Sequence, residues 1–156
     1  MFSHTALLLI LRTAWLTQSG YLWADHVPKA RIVGVKADEL RQIAVGPSDP
    51  GWESFETTLL WLADELFRNS SVRDETWTAL EARYDLYNLV DAVMTVNETT
   101  LLAMLWQNLI GNAVKFRRAD TEPRISIDCH LEGAADDESS YWMFSLSDNG
   151  IGIAPE

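Results

Sequence analysis

Apolar residues recur at steps of three and four along two stretches of this chain. Phe55, Leu59, Leu62, Leu66 and Phe67 predict an amphipathic helix over 53–69 that must pack on another surface. Leu102, Leu105, Leu109, Ala113 and Phe116 predict a second, and Asn108, Asn112 and Lys115 recur at the same steps on a different face. Gly111 costs such a helix about 1 kcal/mol relative to Ala, and Asn is also a poor interior residue. A helix that tolerates both is a place to look for function.

The period then changes from three and four to two. Ile125, Ile127, Cys129 and Leu131 alternate with Ser126, Asp128 and His130, as do Trp142, Phe144 and Leu146 with their neighbours. Two half-buried strands follow, over 124–131 and 141–147, and the acidic loop 132–140 makes an antiparallel hairpin the economical pairing. Cys129 reads as a small core residue, and the run Asp136-Asp137-Glu138 as solvated charge without chemistry.

The N-terminal stretch 1–24 carries the apolar run Ala6 to Leu11 and then Arg12, which reads as an amphipathic or buried helix. It lacks the basic start of a signal peptide and falls short of the roughly 20 apolar residues of a membrane span. Prolines and glycines between 24 and 51 predict a turn-rich connector around one short helix near 37–44, with His26 in a loop. Leu86 to Met94 reads as a further short helix.

Charge removes one class of function. With 12 basic and 23 acidic residues the chain carries a formal charge of −11, which disfavours a nucleic-acid surface. A single cysteine excludes an internal disulfide and fits a reducing compartment, so the expected location is cytoplasmic.

Two segments resemble a known family. Gln107-Asn108-Leu109-Ile110-Gly111-Asn112-Ala113-Val114-Lys115-Phe116 looks like the N-box of sensor histidine kinases, and Asp148-Asn149-Gly150-Ile151-Gly152-Ile153 looks like their first glycine box. The resemblance implies an α+β fold, a two-layer sandwich fragment of the histidine-kinase ATP-binding domain preceded by a helical region. It divides the chain into 1–51, a helix and connector; 52–83, the end of a dimerisation hairpin; and 84–156, a partial ATP-binding domain. The implied cofactors are ATP, held by Asn108, Asn112, Lys115, Asp148, Gly150 and Gly152, and Mg²⁺, bound through the Asn112 carboxamide oxygen. The implied partners are a response regulator and a second copy joined through helix 53–69.

The pattern is incomplete. The strand hairpin that normally precedes the N-box has no room between Val93 and Asn97, and no lid, second glycine box or phosphoacceptor histidine is found. Asp38-Glu39-Leu40-Arg41 faintly resembles the phosphoacceptor box with Asp in place of His, and reads better as a solvated helix turn. No catalytic residue is assigned. The implied function is the ATP-binding portion of a two-component kinase; the alternative is a non-catalytic remnant or dimerising module with weak or no nucleotide binding.

Overall fold

The computed structural model describes residues 3–132 and 141–152. The chain divides into two compact units, Met1–Met104 and Leu105–Glu156.

The first unit is built around its N-terminal helix. α1, His4–Leu16, starts on Ser3, whose hydroxyl accepts the Ala6 N–H at 3.1 Å. Every residue from Leu7 to Ala14 is buried, so α1 is covered on all sides. Leu7, Leu8, Ile10 and Leu11 pack with Ala30, Val35, Ile43, Trp52 and Leu60. Leu9 points into a second cluster with Leu59, Leu62, Ala63, Leu80, Leu89, Ala92 and Val96. Four further helices lie within this unit: α2, Gly20–Ile32; α3, Ala37–Val45; α4, Ser54–Asn69; and α5, Asp74–Glu81. The long helix α6, Leu86–Lys115, begins in it and runs into the second.

The apolar face of α4 is spent inside the chain. Leu59, Leu60, Leu62 and Ala63 are all fully buried, each Leu contributing about 1.5–3 kcal/mol by leaving water. Leu60 packs in the same cluster as Leu7, Leu8, Ile10 and Leu11 of α1, and Leu59, Leu62 and Ala63 pack with Leu9.

Helix α2 corrects the connector reading of 24–51. Pro28 lies inside it, where a missing N–H and a ring clash usually cost about 3 kcal/mol. Burial of Leu22 and Ala30, with Trp23 and Val27 packed against the same core, outweighs that cost. The second departure is α6, an unbroken 30-residue helix where the sequence suggested two. By length and composition alone it is apolar enough to cross a membrane, a property that core helices of soluble proteins share.

The second unit holds the last turns of α6 and one hairpin. β1, Ile125–Glu132, pairs antiparallel with β2, Tyr141–Asp148, in the register Ile125 to Asp148 and Cys129 to Phe144. Its acidic connection, with Asp136-Asp137-Glu138, lies outside the described residues. The alternation sets the pairing, but the strands are not half buried. Ile127 is 51% exposed, Phe144 is 59% exposed, and Cys129 is a surface thiol and not a core residue.

The expected two-layer α+β sandwich is therefore not what forms. Such a layer needs a sheet wide enough to cover its helices, and the described residues hold six helices against a single two-stranded hairpin. Helix packs on helix instead.

Gly46 ends α3 at φ +98°, a conformation that side chains rarely adopt. An added Cβ would lie 2.4 Å from Nη2 of the buried Arg12. Gly46→Ala is expected to cost about 1–3 kcal/mol, read as a lower midpoint in urea unfolding.

Candidate functional site

The six residues singled out from the sequence all fall in the second unit, and the structure joins only some of them. Asn108, Asn112 and Lys115 stand along the exposed surface of α6. Lys115 holds its ammonium 5.1 Å from the centroid of the neighbouring Phe116 ring. Asp148, at the end of β2, accepts the Gly150 N–H on Oδ1 at 2.7 Å, closing a small turn. A side chain on Gly150 would meet the Phe116 carbonyl oxygen at 2.7 Å, so close backbone approach requires this glycine. Ile151 N–H donates to the same carbonyl at 3.0 Å. Asn149 accepts the Arg124 N–H at 2.8 Å and donates to the Glu122 carbonyl at 3.0 Å. Gly152 follows at the edge of the described residues. The local logic of Asp148 to Ile151 is thus to staple the hairpin to the segment after α6.

A more enclosed arrangement lies in the first unit, at residues the sequence reading left without chemistry. α1, α2 and α6 leave between them a cleft of about 550 Å³. Its floor is apolar, from Ile10 and Leu22, and its polar wall comes from His26 on α2 and a stripe on α6. The stripe, Asn88, Asp91, Thr95, Glu98 and Leu102, recurs at three and four residues and so shares one helix face. Thr95 and Thr99 donate their hydroxyls to the Asp91 and Thr95 carbonyls at 2.8 and 2.6 Å, which leaves their oxygen lone pairs as acceptors.

His26 is oriented by its own helix. Nδ1 lies 2.9 Å from the Leu22 carbonyl oxygen, which can only accept, so in the neutral ring the proton sits on Nδ1 and Nε2 is the basic nitrogen. Asp25 lies 3.4 Å away from the same Nδ1. The hydrogen bond from Lys29, 2.6 Å long, holds the Asp25 carboxyl below the usual carboxylate range.

The cleft was missed for a simple reason. Pro28 suggested a loop, and without α2 nothing placed His26 opposite the α6 stripe. The polar members of the stripe, Asn88, Asp91, Thr95 and Glu98, recur at helical steps in the sequence itself.

No family model matches this chain. A crystal structure of a protein of unknown function from Agrobacterium tumefaciens, named as a candidate AhpD antioxidant-defence protein, superimposes with a TM-score of 0.60. The match covers 69% of this chain and 73% of that one, at 16% identity. The fold of this chain is AhpD-like and mainly helical. Two curated relatives share short segments. Cyanobacterial phytochrome A of Nostoc is 47% identical over 58 residues, and the phytochrome-like protein Cph1 of Synechocystis is 40% identical over 55. These segments amount to 37% and 35% of this chain, which spans only 7% and 6% of the relatives' own lengths.

The AhpD-like helical fold overturns the resemblance to sensor histidine kinases. With it go the kinase function, two-component signalling and phosphorelay. The physical reason is visible in the fold. The row Asn108, Asn112 and Lys115 faces outward, and the described residues form one hairpin where the resembled domain has a wider sheet. The phytochrome matches are too short to carry the whole-protein reading. The assignment of ATP and Mg²⁺ to Asn108, Asn112, Lys115, Asp148, Gly150 and Gly152 rested on that resemblance.

Proposed function

We propose that the AhpD-like unit binds a small, positively charged organic molecule in the α1/α2/α6 cleft and presents His26 to it as an acid–base group. The observation that carries this reading is the charge of the lining: Asp91 and Glu98 contribute two carboxylates, and among the described residues no Lys or Arg lines the cleft. An amine entering there gains from both carboxylates, whereas a carboxylate ligand meets like charge. The apolar floor of Ile10 and Leu22 accommodates a hydrocarbon body, and the threonine oxygens accept hydrogen bonds. His26, with Nδ1 committed to a carbonyl, has the tautomer a general base needs.

The name of the Agrobacterium relative speaks of antioxidant defence. Reduction by a thiol pair on one chain needs two cysteines, and these 156 residues hold only Cys129, on an exposed strand of the other unit. Acid–base chemistry at His26 needs none.

The test is two-dimensional amide NMR of the full chain, titrated with benzylamine and putrescine against benzoate and acetate. The amines are expected to shift the resonances of His26, Asp91, Thr95 and Glu98 in a saturable manner, and the acids are not. Asp91→Asn with Glu98→Gln is expected to weaken amine binding about tenfold or more, since about 1.4 kcal/mol of lost attraction corresponds to that factor. Amines that leave these resonances unmoved in the folded wild type would reject the reading.

A further inference from the structure

A second group of side chains lies away from the cleft, where three helices begin. His4 is the first residue of α1, Glu39 is the third of α3, and Glu56 is the third of α4. Each offers one ligand atom, and the three atoms lie within 4.8 Å of one another. All three residues are partly buried. The His4 Nε2 to Glu39 Oε1 separation is 3.4 Å. Ligands bound at 2.0–2.2 Å around a tetrahedral ion stand about 3.3–3.5 Å apart, so this pair already has the spacing of one tetrahedral edge.

The two carboxylates are held for the purpose by backbone. Lys36 N–H donates to Glu39 Oε2 at 2.6 Å, and Glu53 N–H donates to Glu56 Oε2 at 3.2 Å. Each bond is the return half of a capping box. It occupies one oxygen and fixes the carboxyl plane, as the outer hydrogen bonds of ligating carboxylates do.

We propose that His4, Glu39 and Glu56 form a binding site for a divalent first-row transition metal ion of the zinc class, supplying one imidazole nitrogen and two carboxylate oxygens and leaving a position for water. One nitrogen and two oxygens form a donor set that suits zinc, and three protein ligands plus an open position is the arrangement of reactive rather than purely structural sites. The ion would tie the starts of α1, α3 and α4 together. The adjustment needed to close the triangle is small, since the three ligand atoms already lie within 4.8 Å of one another.

The same geometry has an ordinary explanation, two helix caps and a histidine–carboxylate contact, and one pair of substitutions separates the two. Glutamine serves the return half of a capping box as glutamate does, but it loses the anionic oxygen. The experiment is calorimetric titration with Zn²⁺ of the full chain carrying Cys129→Ser, which removes the exposed thiol as a competing ligand. One saturable site is expected. Glu39→Gln, Glu56→Gln and His4→Gln are each expected to weaken it about tenfold or more, with the metal-free melting temperature and helical circular dichroism of Glu39→Gln and Glu56→Gln unchanged. A His130→Ala control on the hairpin is expected to leave the site intact. Absence of a one-to-one site in the folded chain, or a site that persists in all three variants, would overturn the proposal.

Discussion

Arg12→Met is expected to lower the unfolding free energy by about 3–5 kcal/mol, because it leaves the buried Asp64 carboxylate to the exposed Arg68 guanidinium, 3.3 Å away, and removes its two-pronged buried partner. Arg12 is 4% exposed and Asp64 is 4% exposed. The guanidinium grips Asp64 with two bonds, Nε to Oδ1 at 2.6 Å and Nη2 to Oδ2 at 2.9 Å. Its remaining nitrogen, Nη1, donates to the Ile43 and Ala44 carbonyls at 2.7 and 3.1 Å, at the C-terminal end of α3. One side chain on α1 therefore satisfies α4 and α3 together. Arg12→Lys is expected to recover only part of the loss, since an ammonium cannot reproduce the planar two-pronged contact. The double variant Arg12→Met with Asp64→Leu is expected to be more stable than Arg12→Met alone, because the buried charge is gone. Urea unfolding of the four proteins measures all of this. A double variant no more stable than Arg12→Met would show that the contact is worth its own attraction and not merely the avoidance of a buried charge without its buried partner.

The second large effect is acid sensitivity centred on Glu65. Its carboxylate is 3% exposed and accepts three hydrogen bonds: Arg73 Nε at 2.6 Å, Arg73 N–H at 2.9 Å and Thr76 Oγ1 at 2.8 Å. Burial pushes this carboxyl up, but the hydrogen bonds from the Arg73 backbone and guanidinium and from Thr76 together pull harder, and it sits below its ordinary value. A folded-state pKa below the unfolded one means that the unfolded chain binds the proton more readily. The stabilisation is therefore fully present above the unfolded value, about 4.3, and is lost as pH falls through the lower folded value. Glu65→Gln is expected to cost about 1–3 kcal/mol at pH 7. The gap between wild type and variant is expected to narrow steadily from about pH 5 downward. Urea midpoints from pH 7 to pH 3 provide the check, and a gap independent of pH would remove Glu65 from the account of acid unfolding.

Both effects turn on Asp64 and Glu65, buried carboxylates of α4, a helix whose apolar side was clear from the sequence. The recurrence of Phe55, Leu59, Leu62 and Leu66 was enough to mark that side, and Leu59 and Leu62 are fully buried. Nothing in the spacing said that the adjacent Asp64 and Glu65 would be buried with them. That depends on Arg12 and Arg73, 52 and 8 residues away, arriving with matching donors. Burial of a charge is decided by its partner, and partners distant in sequence are not encoded in a local period.

The candidate sites divide in the same way. The hairpin was legible because alternation at Ile125, Ile127 and Cys129 and again at Phe144 and Leu146 has a period of two in any surroundings. Whether that face is covered depends on what packs against it, and Cys129 is exposed. The motif at Asp148 to Gly152 was legible as a tight turn, which it is; its chemistry was inferred from a resemblance, and the turn's own hydrogen bonds give Asp148 a local role. His26 needed α2 to be a helix, and α2 exists because Leu22, Trp23 and Ala30 find α1, not because its own residues favour a helix through Pro28.

By itself, then, the sequence determined the faces of its strongest helices, the pairing of its hairpin and the exclusion of an internal disulfide, since these follow from local period and composition. Only the tertiary structure decided that helices pack on helices around α1, which is buried from Leu7 to Ala14. It alone opposed His26 to Asp91 and Glu98 across a cleft, and brought His4, Glu39 and Glu56 from three helix starts to within 4.8 Å. Those arrangements join residues separated by tens of positions, and only burial of shared apolar surface supplies the free energy to bring them together.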